Sequence, residues 1–452
     1  MTSIIKIKKG LDIRLEGRAE TVPLEVAQSD TYALCPPDFD GITPRVAVKA
    51  GDTVKAGSAV MEDKNHPEIK FVSPVSGEVI TVNRGEKRRV LSIIIKDDGK
   101  MTCEEFGKKN LSDLDAQAAK EALLQAGLWP FIKQRPFDIV ANPHDTPRDI
   151  FISAFDSAPL APDFNYIVKG EEKNFQTGLD TLKKLTPGKV YLGVKNYPSD
   201  DFLLKAKNVE AVVFDGPHPA GNVGVQINHI APVNKGETVW TIRHADVLLI
   251  GRLFNKGVID FSRKVAITGS ETTERGYADV IMGASIASIL QGKCSQNEHL
   301  RFISGNVLTG KKVSLNDYLG AYDTQITVIP EGDNVHELFG WAMPRFSQFS
   351  VSRAYLSWLR GKNTEYRIDA RIKGGKRAMI MSNEYDKVFP MDILPEYLLK
   401  AIIAFNMDKM ENLGIYEVAP EDFALCEFVD TSKIEIQKIV RNGLDMLYKE
   451  LN

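Results

Sequence analysis

The strongest constraint on this chain is a pair of glycine-punctuated strand runs between residues 46 and 79. Val46-Ala-Val-Lys-Ala-Gly51-Asp52-Thr-Val54-Lys-Ala-Gly57 reads as a strand, a Gly-Asp turn, a short strand and a second glycine turn. Phe71-Val-Ser73-Pro74-Val75-Ser76-Gly77-Glu-Val79 reads as a strand broken by a proline turn and a glycine. Leu91–Lys96 closes the module with a β-branched run, and the two halves lie about symmetrically around Glu62–Pro67. Chain reversals this frequent leave no room for a helix, so the region must be a small all-β unit with two related halves.

The pattern, G-D-x-V-x-x-G before a central hairpin and S-P-x-x-G after it, resembles the biotinyl/lipoyl-type barrel-sandwich hybrid. Carrier domains of that type hold a modified lysine at the hairpin, where this chain has His66 in Asn65-His66-Pro67. The resemblance therefore implies a structural module without a prosthetic arm, with His66 an exposed turn residue.

The fold class expected for the whole chain is multidomain α/β. Residues 1–100 are the N-terminal strand plus the hybrid domain; Ile4, Ile5 and Ile7 interleave with Lys6 and Lys8 and stop at Gly10. Residues 101–260 alternate helix and strand, which implies a Rossmann-like α/β domain with a mainly parallel sheet. Helices are expected over Ser112–Gly127 with Ser112 as cap, Phe175–Leu185, Asp200–Lys207 and a buried His244–Phe254. Strands are expected at Ile150–Ser153, Tyr166–Val168, Val190–Val194 and Ala211–Phe214. Residues 261–335 read as a β-grasp, SLBB-like unit with strands Lys264–Gly269 and Gln325–Pro330 around a helix, Gly283–Leu290. Residues 336–452 read as a mostly helical domain. Pro395 opens a helix to about Asn412, and Ser432-Lys-Ile-Glu435 is a capping box for Lys433–Leu451.

Several functions are disfavoured at once. A net charge of −3 argues against nucleic acid, which calls for a basic stripe. The most apolar run, Leu398–Met407, is short and carries Lys400, so it falls below the roughly 18–20 residues of a spanning helix. MTSIIKIKKG has no apolar signal core, so a cytoplasmic location is expected. Cys35, Cys103, Cys294 and Cys426 lie far apart, without a CxxC, so a locally built zinc or iron–sulfur site is not expected. The seven histidines show no H-x-x-x-H spacing, and no metal is expected. Nor is there a G-x-G-x-x-G dinucleotide loop, and Gly305–Lys312 lacks the Ser/Thr of a P-loop. The loop Gly216-Pro-His218-Pro-Ala-Gly221 follows a parallel strand, where α/β sheets bind ligands or partners, so Gly216, His218 and Gly221 are candidates for that role.

Five segments in order carry a longer resemblance: Lys9-Gly10-Leu11-Asp12-Ile13, Gly216-Pro-His-Pro-Ala-Gly221, Asp279–Leu290, Ile303-Ser304-Gly305-Asn-Val-Leu-Thr-Gly310 and Met391-Asp392-Ile393-Leu394-Pro395. They resemble the A subunit of the Na⁺-translocating NADH:quinone reductase (Na⁺-NQR) over nearly the whole chain. The domain order is also similar to the C subunit of the Rnf complex and to the flavin- and NADH-binding subunit of respiratory complex I. The resemblance implies a peripheral subunit on the cytoplasmic face of the inner membrane, docked on the membrane-embedded B subunit. It further implies a place at the quinone-reducing end of a complex that passes electrons from NADH to ubiquinone and exports Na⁺. Those other relatives carry a glycine-rich flavin loop and cysteine clusters. Here the loop position reads Gly127-Leu-Trp129-Pro130-Phe131-Ile-Lys133-Gln-Arg135-Pro136-Phe137, and near the C-terminus Cys426 stands alone. No flavin and no Fe–S cluster is therefore expected in this chain; NAD(H), flavins and Fe–S belong to other subunits, and ubiquinone is the ligand left to it.

A quinone site needs a slot for a flat ring and donors for its carbonyl oxygens. Trp129, Phe131 and Phe137, with Lys133 and Arg135, supply both types, and Phe39 in Pro36-Pro37-Asp38-Phe39 is a second candidate. The aromatic, Pro-broken stretch with Trp341, Met343, Phe346 and Phe349 suits a partner interface. The competing readings are a stand-alone flavin or nicotinamide oxidoreductase, which the missing glycine loop opposes, and a non-catalytic scaffold of an Rnf-like complex. A biotin or lipoate carrier is opposed by His66.

Overall fold

The structure is a computed structural model that describes residues 4–196, 202–296, 299–333, 339, 343–361 and 363–451. The two-halved β module is present as two sheets. One runs in the order Thr31–Leu34, Val90–Asp97, Gly77–Arg84, Thr53–Val54, and the other in the order Pro44–Val46, Ala59–Asp63, Lys70–Val72. Gly51 and Gly57 take left-handed φ of 90° and 96° at the two turns that the sequence pattern marks. At Gly77 a Cβ would stand 1.8 Å from the Lys96 carbonyl oxygen, so the strand pair closes around a glycine.

The next unit is a seven-stranded sheet ordered Ile4–Lys6, Glu210–Asp215, Val190–Lys195, Ile150–Ser153, Val239–Ile242, Ile132–Arg135, Ile139–Val140. Its first five strands are parallel, and the Ile132–Arg135 hairpin closes it antiparallel. The N-terminal strand thus pairs with Glu210–Asp215, not with the β module that follows it in sequence. Pro23–Leu24 likewise adds to a six-stranded sheet, ordered Lys311–Val313, Leu300–Ser304, Gln325–Pro330, Ser262–Thr268, Gly276–Ile281, Pro23–Leu24. Residues 4–24 therefore stitch two sheets together before the β module begins.

Several local expectations need correction. Tyr166–Val168 is helical within Phe164–Val168, because the Asp163 carboxylate caps it by accepting from Asn165 N. The cap of the helix Ala116–Gln125 is Asp115, accepting from Ala118 N, and Ser112 lies in a 3₁₀ turn before it. The expected Asp200–Lys207 helix is a 3₁₀ turn, Phe202–Lys205, with residues 200 and 201 outside the described residues. Pro395 opens a helix that stops at Ile403; Phe405 has φ 53° and Asn406 caps a separate helix, Met407–Asn412. The capping box at Ser432 does not form. Asp430 accepts from Ser432 N and Ile434 N instead, and the last helix is Ile436–Leu451. The described residues of 343–394 hold two 3₁₀ turns and otherwise irregular chain, so helix dominates from Pro395 onward; the 335/336 boundary lies outside the described residues.

Two large cores hold the units together. One runs from the β module through Trp129, Phe131 and Trp240 to Val265 and Tyr322. The other joins Ile7, Phe137, Phe214 and Val225 to Phe389, Phe423 and Leu444 of the C-terminal segment. No described helix is long and apolar enough to cross a membrane.

Candidate functional site

Where the β module, the two larger sheets and the C-terminal segment meet, they enclose a cavity of about 300 Å³. Strand alternation decides which side chains of Ile132–Arg135 reach it. Lys133 and Arg135 share one face; Lys133 lines the cavity, while Arg135 continues behind the wall. Phe131, at the end of the 3₁₀ turn Trp129–Phe131, forms part of the lining with Tyr322. Their rings pack edge-on at 5.7 Å, and Phe39 supports both from behind at 6.3 and 5.4 Å. Lys133 Nζ lies 5.2 Å from the Tyr322 ring centre and Arg243 Cζ 5.5 Å from it.

The loop after Glu210–Asp215 brings His218 and Gly221 to the same wall. Gly216 presses on Ile7, so its part is to set the loop's path. Ser157 Oγ accepts from Gly221 N at 2.8 Å and lies 3.0 Å from His218 Nδ1. The Ser157 hydroxyl can donate to Nδ1 or accept from it, since its oxygen keeps a second lone pair. His218 Nε2 is buried at the cavity wall and has no partner among the described residues. His244 is fixed by a carbonyl. Its Nδ1–H donates to the Ser153 carbonyl at 2.8 Å, which leaves Nε2 an acceptor. Burial holds both rings below the ordinary histidine value, against the pull of Asp156 on each. Burial, and then Asp422 beside it, push the Glu421 carboxyl up. Burial lowers Arg243, but Glu421 and Asp323 outweigh it and keep the guanidinium charged. Sequence reasoning missed Arg243, His244, Tyr322 and Glu421, because no motif links three segments so far apart.

The rest of the segment Trp129–Phe137 does not face this space, which corrects the expectation of a single aromatic slot. Trp129 is 0% exposed, packs edge-on against Trp240, and donates its indole N–H to the Ala141 carbonyl at 2.7 Å. Arg135 is sealed in an ion pair with Asp422. The Phe137 ring stacks edge-on with Tyr448 on the C-terminal helix. Phe39 is buried and reaches the cavity only through the rings it supports. Of the interface candidates, Met343 and Phe346 are exposed, Phe349 packs on Tyr366 and Phe428, and Trp341 lies outside the described residues. Burial pushes the Cys35 thiol up to about 12 and the Cys294 thiol up to about 11, which disfavours the thiolate at both.

The family models and the curated relatives agree with one another. Residues 5–98 match the family model described as NqrA N-terminal barrel-sandwich hybrid domain, 114–259 the NqrA second alpha/beta domain, and 264–314 the NQRA C-terminal domain. The chain is 37% identical over 450 residues to the A subunit of the Na(+)-translocating NADH-quinone reductase of Neisseria meningitidis serogroup B, covering 99% of this chain and 100% of that one. It is 36% identical over 454 residues to the protein of that name from Haemophilus influenzae (strain 86-028NP), covering 99% and 100%. Among solved structures, NAD+-reducing [NiFe]-hydrogenase in the H2-reduced state aligns with a TM-score of 0.40 and 11% identity. That alignment covers 75% of this chain and 64% of that chain, under two thirds of its length.

Proposed function

The chain belongs to the family of Na(+)-translocating NADH-quinone reductase A subunits and so is part of an NADH:quinone oxidoreductase complex, and from that membership we propose that its central cavity receives the head group of ubiquinone. The observation that carries this reading is a pair of imidazoles in the cavity wall, His218 with a buried Nε2 that has no partner among the described residues and His244 with Nδ1 held by the Ser153 carbonyl. A quinone head group is flat and uncharged, and its carbonyl oxygens accept hydrogen bonds. In the tautomer that accepts the Ser157 hydroxyl at Nδ1, His218 Nε2–H is a donor for the oxidised form. His244 Nε2 is an acceptor for the hydroxyl of the quinol. Phe131 and Tyr322 supply ring surface, and Lys133 lies beside them. Electrons arrive from NADH through flavins and Fe–S held by other subunits; this chain binds and orients.

In the same reading the protein sits on the cytoplasmic face, docked on the membrane-embedded B subunit. Met343 and Phe346, and further along Trp358 and Leu359, are exposed apolar side chains that a membrane partner would cover.

The test is a titration of the full chain with a short-chain ubiquinone, followed by saturation-transfer NMR. Saturable binding is expected, weakened roughly fivefold by His218→Ala, the loss of one hydrogen bond. Transfer that is unchanged in both His218→Ala and Phe131→Ala would place the quinone elsewhere.

A further inference from the structure

His66 and Glu68, two apart in sequence, meet the remote His144 at the junction of the β module and the seven-stranded sheet unit. His66 and Glu68 sit on the turn between strands Ala59–Asp63 and Lys70–Val72, closed by the Ile69 N–H donating to the His66 carbonyl at 2.9 Å. His144 sits on the loop after Ile139–Val140. That loop is fixed from below by Asn142 Oδ1, which accepts from His144 N at 3.0 Å, and by Lys120 Nζ on the Pro143 carbonyl at 2.6 Å. Two held turns thus present three side chains to one another. His66 is not the free turn residue that the sequence pattern implies: its side chain is 29% exposed and faces the neighbouring unit.

We propose that these three side chains form a zinc site that staples the hairpin of the β module to the α/β unit. His144 Nε2 lies 3.0 Å and His66 Nδ1 3.8 Å from Glu68 Oε1, and the three ligand atoms fall within 4.8 Å of one another. Donors at ~2.0–2.1 Å around a tetrahedral zinc stand roughly 3.3 Å apart, so closure asks for small turns of side chains on a partly open surface. Glu68 Oε1 supplies a second, independent observation. It is shielded from solvent, and no hydrogen bond reaches it among the described residues. A divalent cation answers that unsatisfied oxygen, whereas a bare ion pair with His144 leaves it without a directed partner. Two imidazoles and one carboxylate select a borderline ion such as zinc over Mg²⁺ or Ca²⁺, which favour oxygen donors. His144 is 72% exposed, which leaves the fourth position to water. The ion ties two units and carries no electrons.

The full chain, stripped with EDTA and dialysed, is titrated calorimetrically with ZnCl₂ and melted with ZnCl₂ or MgCl₂. One zinc per chain is expected, with a rise in Tm that MgCl₂ does not give. His144→Ala and Glu68→Gln are each expected to weaken binding by more than the roughly 10–100-fold lost when an outer partner of a ligand is removed. His144 is exposed, so its loss does not threaten folding. Binding of the same affinity in His144→Ala, or none in the parent chain, would reduce the cluster to a Glu68–His144 ion pair and overturn the proposal.

Discussion

Arg135 Nη1 donates to Asp422 Oδ2 across 2.7 Å, and neither side chain is exposed. The same nitrogen lies 2.7 Å from the Glu417 carbonyl. The pair fastens the antiparallel strand of the large sheet to the C-terminal helical segment, directly behind the cavity wall that Glu421 completes. Removing one partner leaves a buried charge uncompensated. Arg135→Ala is therefore expected to cost about 3–5 kcal/mol, read as a large fall in Tm. The paired change Arg135→Met with Asp422→Leu should recover much of that loss. A single variant that melts like the parent would show that the clamp contributes nothing.

Trp129 and Phe131, two residues apart, should behave differently. Trp129→Ala empties a fully buried site against Trp240 and is expected to cost about 3–5 kcal/mol. Its assembled complex should keep the parent quinone KM. Phe131→Ala, at the cavity, should raise that KM instead. Stability from thermal melts and KM from steady-state rates separate the two. A KM shift in Trp129→Ala alone would reverse the assignment.

The six-stranded sheet carries an acid-sensitive contact. Arg301 Nε and Nη2 donate to Glu331, and these hydrogen bonds hold its carboxyl down at about 2 from an ordinary 4.5. A folded value below the unfolded one adds stability above pH 4.5, and that stability is lost as pH falls toward 2. The Tm gap between the parent and Glu331→Gln should thus be largest near neutrality and shrink below pH 4.5. A gap that widens on acidification would contradict this sign.

Exposed Met343 and Phe346 bear on assembly. The double change Met343→Asp with Phe346→Asp should leave the stability of the isolated chain within about 1 kcal/mol of the parent. It should also reduce recovery of this protein with purified complex. Normal recovery would move the docking face elsewhere.

The β module is legible in the sequence because glycines at forced turns announce their own geometry, as Gly51 and Gly57 do. The alternation of strands and helices is legible for the same kind of local reason. The long-range stitching of Ile4–Lys6 and Pro23–Leu24 into two other sheets is not, since two- and three-residue strands carry no periodicity. The cavity is half legible. Lys133 and His218 could be picked out by residue type, but strand alternation cannot say that Arg135, on the same face as Lys133, meets Asp422 from 287 residues away. His244 reads as part of a buried helix, and its role at the cavity follows from the Ser153 carbonyl that fixes its tautomer. His66 and His144 escape notice because metal-ligand spacing is sought along the chain, while this cluster is assembled across two units.

Whether the cavity between His218 and His244 holds the quinone is read from the quinone KM of purified complex carrying His218→Ala, with NADH-to-flavin electron transfer measured in parallel. A KM raised roughly fivefold is expected, as for one lost hydrogen bond, with the flavin step unchanged. An unchanged KM, in a complex that retains this protein at full stoichiometry, would contradict the assignment.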